Sequence, residues 1–182
     1  MSNDLFNDFR FTENPSTTII EKYKGKLDSK VLDIWQEYGF GEILNGYIKI
    51  VNPDNYKDLL QKSWSDYNEN YFVLFATGMG DLIVKKDDFL YFLDFRHRNI
   101  EVAGKDYDIF FTRCLPDEEY LQDEFSWEPY KDAVDLLGIP AHDECFGYEP
   151  ILVAGGNKDV KKLKKVKLIE HVELIVQFTG KI

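Results

Sequence analysis

Three apolar runs in the middle of the chain constrain its fold most strongly. They cover residues 71–77, 81–85 and 89–95, and they are rich in aromatic and β-branched side chains. A Gly-Met-Gly sequence separates the first two runs, which is typical of a β-hairpin turn. A further strand is predicted over 99–102, and strands joined by such short connections pair antiparallel. The sequence therefore predicts a mainly antiparallel sheet of four or five strands.

Helical patterns on both sides of this region supply a layer that covers the sheet. Residues 28–38 place apolar side chains on one helix face, with Asp28 as the N-cap and Gly39 as a left-handed end. Further helices are predicted over 52–64, 117–124 and 129–137. Helices packed on one face of an antiparallel sheet give an α+β fold.

The last third of the chain has short apolar runs between turns. We predict strands over 151–154 and 166–169, and a helix or strand with one apolar face over 170–178. Residues 106–115 fit a strand or a helix equally well by periodicity, and residues 40–47 form a turn-rich bridge. The pattern changes near 113–118. The predicted division is an α+β domain over 1–115 and a smaller lobe of helices and strands over 116–182, packed against it.

The distribution of charge is the main functional signal. The net charge is −11, and residues 111–150 alone carry 11 acidic side chains against Arg113 and Lys131, a local net charge of −9. A nucleic-acid duplex repels such a field, which excludes a general nucleic-acid binder. An acidic face favours a basic partner, because opposite potentials steer the encounter. Acidic surfaces also keep cytoplasmic proteins soluble, so both interpretations stay open.

The sequence also indicates a compartment. No apolar run approaches the roughly 20 residues that span a bilayer, and the first residues have neither the basic nor the apolar region of a secretory signal. Cys114 and Cys145 are too few for a disulfide scaffold. These features predict a cytoplasmic protein with free thiols and no membrane partner.

The sequence gives only weak signals for metal binding or catalysis. His142, Cys145, His171 and Cys114 lack the two clear pairs of a structural zinc site. Cys145 and His171 would act as nucleophile and base only if the fold brought them together. The chain has no phosphate-binding loop, no Gly-x-Ser-x-Gly and no His-Glu-x-x-His. We expect no metal, no cofactor and no catalysis, and an enzyme that uses Cys145 and His171 stays an alternative.

Segment 117–135 is the candidate binding surface, because it interleaves acidic and aromatic residues. If it is helical, Glu124 aligns with Glu128, and Glu128 with Asp132. Trp and Tyr beside carboxylates are typical interface anchors, although the aromatic rings would equally well face the core while the acids face water. The predicted contact residues are Asp117, Glu118, Glu119, Asp123, Glu124, Trp127, Glu128, Asp132 and Asp135.

Two longer stretches resemble a known family. One begins at Trp35 as Trp-Gln-Glu-Tyr-Gly-Phe-Gly and continues to an Asn-Pro-Asp at 52–54. The other, residues 141–157, contains Asp-Glu-Cys-Phe-Gly-Tyr-Glu-Pro and ends in Gly-Gly-Asn, with a Glu-His pair at 170–171 after a Lys-rich spacer. Together with the Phe-Ala-Thr-Gly-Met-Gly-Asp-Leu hairpin, these stretches resemble the GAD-like immunity proteins of bacteria over about residues 15–180.

The resemblance implies a cytoplasmic immunity protein without an activity of its own. Such proteins neutralise a toxin delivered by a secretion system, often type VI, and their partners are commonly DNases. The resemblance makes 1–115 a GAD-like domain and 116–182 a C-terminal immunity-family domain. The motif positions are expected to be scaffold: Trp35, Gly39, Gly41, Gly46, Asp143, Glu144, Tyr148, Gly155, Gly156 and His171.

The acidic segment and the resemblance together predict a mode of action. The protein is expected to occlude a basic nuclease domain stoichiometrically with its acidic surface, without contacting nucleic acid itself. A regulatory or interaction domain with no toxin partner is a further alternative.

Overall fold

The computed structural model describes residues 5–182. Residues 1–4, the start of the predicted first domain, lie outside the described residues. Seven strands form one antiparallel sheet in chain order. They are β1 Arg10–Glu13, β2 Phe40–Ile43, β3 Ile48–Ile50, β4 Phe72–Thr77, β5 Leu82–Lys86, β6 Phe89–Asp94 and β7 Asn99–Gly104. The antiparallel α+β fold predicted from the sequence is thus confirmed.

Seven helices and a small second sheet complete the described part of the chain. The helices are α1 Thr17–Tyr23, α2 Ser29–Glu37, α3 Lys57–Ser63, α4 Tyr107–Ile109 (continued by a π-helix over Phe110–Cys114), α5 Glu118–Phe125, α6 Tyr130–Leu137 and α7 Leu168–Thr179. Strands β8 Glu144–Tyr148 and β9 Leu163–Lys167 pair antiparallel. Short 3₁₀ turns cover Pro53–Tyr56, Leu152–Ala154 and Val160–Lys162. Among these residues, no helix has the length and apolarity needed to cross a membrane.

Helices cover both faces of the sheet, so the prediction of a single covered face was wrong. In β5, Ile83 belongs to the core cluster on the first face, whereas Leu82 and Val84 belong to the cluster on the second. Residues of α1, α2, α5 and α6 join the first cluster, and residues of α3 and α7 join the second. A strand buried on both sides has a continuous apolar sequence, which explains the apolar run of β4 and the Leu-Ile-Val run that opens β5.

The predicted count of four or five strands was also wrong, because β1 and β2 have weak sequence signals. All four residues of β1 are exposed, and β2 contains a glycine and a buried glutamate. A Cβ at Gly41 would lie 2.4 Å from the carbonyl oxygen of Arg10. The missing side chain therefore allows β1 to pair closely with β2, where a turn-rich bridge was predicted.

Locally coded helices were predicted well. Asp28 accepts a hydrogen bond from the backbone N–H of Lys30 at 2.9 Å, and Gly39 follows α2 with a φ of +85°. The helices predicted over 117–124 and 129–137 are confirmed as α5 and α6. Their capping residues and apolar periodicity act over only a few positions, which is why the sequence reveals them.

The pairing of β8 with β9 corrects the predictions for the last third. The strand predicted over 151–154 is a 3₁₀ turn, and the strand predicted over 166–169 ends at Lys167, where α7 begins. Strand β8 was not predicted. Its pairing partner lies about 20 residues further along the chain, so local pattern carries little information about it.

A buried ion pair joins the sheet to the C-terminal part of the chain. Asp81, at the start of β5, is fully buried, and its Oδ2 accepts a hydrogen bond from Arg96 Nη2 at 2.6 Å. The same guanidinium donates to the carbonyl oxygens of Phe125 at 3.3 Å and Ser126 at 3.5 Å. Burial alone would lower the pKa of Arg96, but the carboxylates of Asp81 and Asp94 raise it above its usual range. Arg96 therefore stays charged and fixes the turn after α5 to the sheet.

Replacement of Arg96 by methionine tests this connection. We expect Arg96→Met to lower the free energy of unfolding by about 3–5 kcal/mol, because Asp81 would stay buried without a cation. The double variant Asp81→Asn, Arg96→Met is expected to recover part of that loss. Urea unfolding followed by tryptophan fluorescence measures both values. A loss below about 1 kcal/mol in the single variant would show that the pair does not hold the fold.

Candidate functional site

The acidic segment lies across the first face of the sheet and is fixed at both ends. In α5, the Tyr120 hydroxyl donates to the carbonyl oxygen of Ala103 in β7 at 2.6 Å. In α6, the Tyr130 hydroxyl donates to the carbonyl oxygen of Asn45, in the turn between β2 and β3, at 3.0 Å. The two tyrosines thus hold the helices as one rigid platform.

The aromatic residues of the segment face the core. Phe125 stacks on Phe92 of β6 with 4.5 Å between ring centroids, and Trp127 stacks on Tyr47 at 5.3 Å. Trp127 is only 8% exposed, so it mainly positions the segment. Its remaining surface lines a cleft together with Glu118 and Asp135. These residues therefore follow the second interpretation, in which the aromatic rings face the core. A toxin contact by Trp127 stays a prediction.

The carboxylates of the segment face solvent. Glu118 pairs with Lys131 at 2.7 Å, and the Lys131 Nζ also lies 4.8 Å from the centroid of the Trp127 ring. Within residues 5–182, no ion pair to a cation is present for the other predicted acids of this segment. These are Asp117, Glu119, Asp123, Glu124, Glu128, Asp132 and Asp135. The segment therefore presents negative charge that the chain itself does not neutralise.

The predicted helical alignment of Glu124, Glu128 and Asp132 does not hold. Helix α5 ends at Phe125, and Ser126 is left-handed with a φ of +50°. Glu128 lies in the connection, where its backbone N–H donates to Gln122 Oε1 at 2.8 Å. The three carboxylates thus belong to three different local structures, and they share the segment without sharing a helix face.

Strand β7 adds a carboxylate that sequence reasoning did not assign to this surface. The Glu101 carboxyl group lies beside the Glu124 carboxyl group. Partial burial raises the pKa of Glu124, and the nearby Glu101 raises it further. The spacing along the chain gives no sign of this pair, because β7 and α5 meet only in the folded sheet. We call Glu101 and the predicted acids of 117–135 the acidic face.

The predicted scaffold residues of the first part lie in the core or at close contacts. Trp35 is buried and packs its ring edge-on against Phe40 at 5.1 Å. Gly39 and Gly41 lie against β1. A Cβ at Gly46 would lie 2.4 Å from Cγ2 of Ile139, so the glycine allows the segment after α6 to approach the sheet.

The scaffold residues of the second part surround the β8–β9 pair. Asp143 forms an ion pair with Lys167 at 2.7 Å, and Glu144 lies 3.5 Å from the same nitrogen. Tyr148 is buried at the end of β8. In the turn that follows Leu152–Ala154, Gly155 has a φ of +90°, and a Cβ at Gly156 would lie 2.0 Å from the carbonyl oxygen of Pro150.

The residues considered for zinc or nucleophilic chemistry do not form a reactive set. Cys114 packs on the first face of the sheet and Cys145 on the second. His142 lies 3.5 Å from Glu42, in a buried network in which Lys49 donates to the carbonyl oxygen of Ala141 at 2.8 Å. No group of three or more potential metal ligands is present among residues 5–182.

Cys145 and His171 do come together, since both lie against Gly80. A Cβ at that glycine would be 3.1 Å from Cys145 Sγ and 3.5 Å from His171 Cδ2. Burial raises the pKa of the Cys145 thiol, and burial lowers the pKa of His171 to about 4. A nucleophilic cysteine needs a lowered pKa. The surroundings therefore disfavour the thiolate on which the alternative enzyme mechanism depends.

Comparison with known proteins first shows a similarity in fold. The chain is similar in fold to the crystal structure of Atu4351 from Agrobacterium tumefaciens, with a TM-score of 0.76 over 97% of this chain and 89% of that one. The two sequences are 15% identical, so the similarity concerns the fold. No curated protein matches the sequence at a significant level.

The family models are more informative about function. Residues 4–93 match the GAD-like domain, and residues 106–179 match the C-terminal region of the T6SS immunity protein Tdi1. The two matches are adjacent and together cover most of the chain. The chain belongs to the GAD-like immunity proteins of the type VI secretion system, as its resemblance implied. The family gives it an immunity function with a cognate toxin as partner, and it indicates a non-enzymatic role.

The Glu101–Glu124 contact generates a prediction about pH. Because the folded-state pKa of Glu124 is raised, its ionised form is less favourable in the folded protein than in the unfolded chain. Glu124→Gln is therefore expected to raise the Tm at pH 7 by about 1 °C. The gain should disappear below about pH 4, where the glutamate is protonated in both states. Differential scanning calorimetry between pH 3.5 and pH 7.5 measures it.

Glu128→Gln is the matched control, since it removes one exposed carboxylate of the same segment that has no ion pair within residues 5–182. It should change the Tm less than Glu124→Gln. A lower Tm for Glu124→Gln than for the wild type at pH 7 would contradict the prediction.

Proposed function

We propose that this protein neutralises a cognate nuclease toxin, in particular a DNase, by covering a basic surface of the toxin with the acidic face. The observation that carries the proposal is the group of carboxylates over 117–135. Within residues 5–182, all of them except Glu118 lack an ion pair with a cation, and all except the half-buried Glu124 are exposed. Aromatic side chains hold this segment against the sheet. A preorganised surface loses less conformational entropy when it binds.

The chemistry of nucleases supports a basic partner. An enzyme that holds a DNA strand presents lysine and arginine side chains to the phosphates. Carboxylates on a rigid surface compete for the same cations, and complementary potentials accelerate the encounter. The protein would thereby exclude DNA from the toxin without touching nucleic acid itself.

The raised pKa of a carboxyl group in the acidic face is a second supporting observation. Partial burial raises the pKa of Glu124, and the neighbouring carboxyl group of Glu101 raises it further. Departures from favourable local electrostatics are typical of functional surfaces. A cationic side chain of the toxin would stabilise the ionised form of this group, and this would contribute to the binding free energy.

The proposed inhibition takes place in one compartment and uses both parts of the chain. We propose that the protein acts in the cytoplasm, where a delivered nuclease meets the chromosome. The region proposed as the GAD-like domain, 1–115, supplies the sheet, and 116–182 supplies α5 and α6. The division at 115 stays a prediction.

Stoichiometry distinguishes binding from catalysis. We expect nuclease activity, measured by cleavage of fluorogenic duplex DNA, to fall linearly with added protein and to vanish at a one-to-one ratio. The toxin concentration must be far above the Kd for this titration. Complete inactivation of the toxin by a large molar deficit of this protein would show catalytic inactivation and would contradict the proposal.

Charge reversal tests the acidic face itself. The triple variant Glu124→Lys, Glu128→Lys, Asp132→Lys is expected to slow association with the toxin at least about tenfold at low salt. It should also reduce the dependence of the association rate on ionic strength. Stopped-flow fluorescence measures the rates, and thermal unfolding checks that the variant is folded.

The control variant carries the same change of charge elsewhere. Asp33, Glu37 and Glu69 are exposed, and none has an ion pair within residues 5–182. Their replacement by lysine raises the net charge by six, from −11 to −5, as the first triple variant does. Equal association rates for the two variants would show that net charge, not the acidic face, steers the toxin.

A further inference from the structure

A cavity lies on the second side of the molecule, where the sheet meets the C-terminal part of the chain. Three segments enclose it: the turn between β6 and β7, the residues that follow β8, and one side of α7. Its volume is about 340 Å³, which is within the usual range for sites that bind small molecules. Such sites occur preferentially at the junctions between structural units.

Two side chains with little exposed surface present polar atoms to this cavity. Tyr148 is 4% exposed and His171 is 7% exposed. Neither the Tyr148 hydroxyl nor the His171 ring forms a hydrogen bond or ion pair with any residue of the described chain. Neither group is among the fully buried polar atoms that lack a partner, so both reach the open space of the cavity. Both are therefore accessible to a molecule that enters the cavity and offers them a hydrogen-bond partner.

The charges around the cavity select the sign of that occupant. The cavity is lined by Arg96, Arg98 and Lys158, and by no acidic side chain, although the chain has 33 Asp and Glu residues. Asp81 balances the charge of Arg96, and Arg98 donates to the carbonyl oxygens at the end of α7. Lys158 is exposed, and its ammonium group has no partner within residues 5–182. The local excess of positive charge favours an anion.

The walls between these polar groups are apolar. Phe95, Ile151, Leu152 and Ile175 line the cavity. An inorganic anion would leave these walls without contacts, whereas a ring of about the size of benzene would cover them. The occupant that satisfies both kinds of lining has an apolar ring and one anionic group.

We propose that this cavity binds a small aromatic anion, a ring that carries a carboxylate or phosphate group. Lys158 holds the anionic group at the rim, and the Tyr148 hydroxyl and the His171 ring hydrogen-bond to the polar atoms of the ligand inside. The ring packs between Phe95 and Ile175. The lining of this cavity contains no residue of the acidic face, although Glu128 lies in the cleft next to it.

Benzoate and phenyl phosphate are the probes, with benzamide as the neutral ring and inorganic phosphate as the anion without a ring. Titration followed by the methyl NMR signals of Ile151, Leu152 and Ile175 gives the Kd of each. We expect Kd values of about 1 mM or below for the two aromatic anions. Benzamide and inorganic phosphate are expected to bind at least tenfold more weakly.

Two lysine variants locate the charge requirement. Lys158→Met is expected to weaken benzoate and phenyl phosphate at least fivefold and to leave benzamide unchanged. Lys161→Met is the matched control, because Lys161 is an exposed lysine of the same segment that does not line the cavity. It should leave all Kd values within twofold. Both positions are exposed, so both variants are expected to fold.

Three results would overturn the proposal. One is the absence of methyl shifts for all probes up to about 10 mM. Another is a benzamide or inorganic phosphate affinity equal to that of the aromatic anions. The third is an equal loss in Lys158→Met and Lys161→Met, which would show a general effect of net charge.

Discussion

The buried pair between Asp81 and Arg96 connects the elements on which the functional surfaces depend. Asp81 directly precedes β5 and Arg96 follows β6, so the pair links these two neighbouring strands at one end of the sheet. The same guanidinium reaches the carbonyl oxygens of Phe125 and Ser126 after α5. A buried ion pair tolerates little displacement, because each charge is left without its partner when the two groups move apart. The sheet thus dictates where α5 ends and where α6 begins, and with them the position of the acidic face.

Separation of aromatic and acidic side chains explains how one short segment packs into the core and still presents negative charge to solvent. In α5 and α6, the rings of Phe125 and Tyr130 enter the first core cluster, while the neighbouring carboxylates point to solvent. The hydrophobic contacts fix the backbone that carries these carboxylates. Partial burial and the nearby Glu101 raise the pKa of Glu124, so the ionised form of this group is disfavoured in the folded protein. The proposed toxin contact would use this surface, because a cationic partner would supply the positive charge that the segment lacks.

The sequence revealed structure wherever the determinants are local. The hairpin of β4 and β5 and the capped helix α2 depend on residues within a few positions of each other, and both were predicted. Strand β2 was missed, because its pairing depends on the close approach of β1 to Gly41. The acidic side chains of 117–135 were recognised from composition, but the contact with Glu101 requires β7 to lie beside α5. The burial of Trp127 against Tyr47 also depends on the tertiary fold, and periodicity left it open.

The cationic cavity and the acidic face lie near each other without neutralising each other. A cleft next to the cavity is lined by Arg96, Tyr148 and Lys158, and also by Glu128 of the acidic segment. Opposite charges that line one cleft attract each other, and flexible side chains would move to form ion pairs. Arg96 is balanced by Asp81 inside the protein, and Lys158 and Glu128 form no ion pair with each other within residues 5–182. The carboxylate of Glu128 and the ammonium group of Lys158 therefore both remain available to partners of the opposite charge.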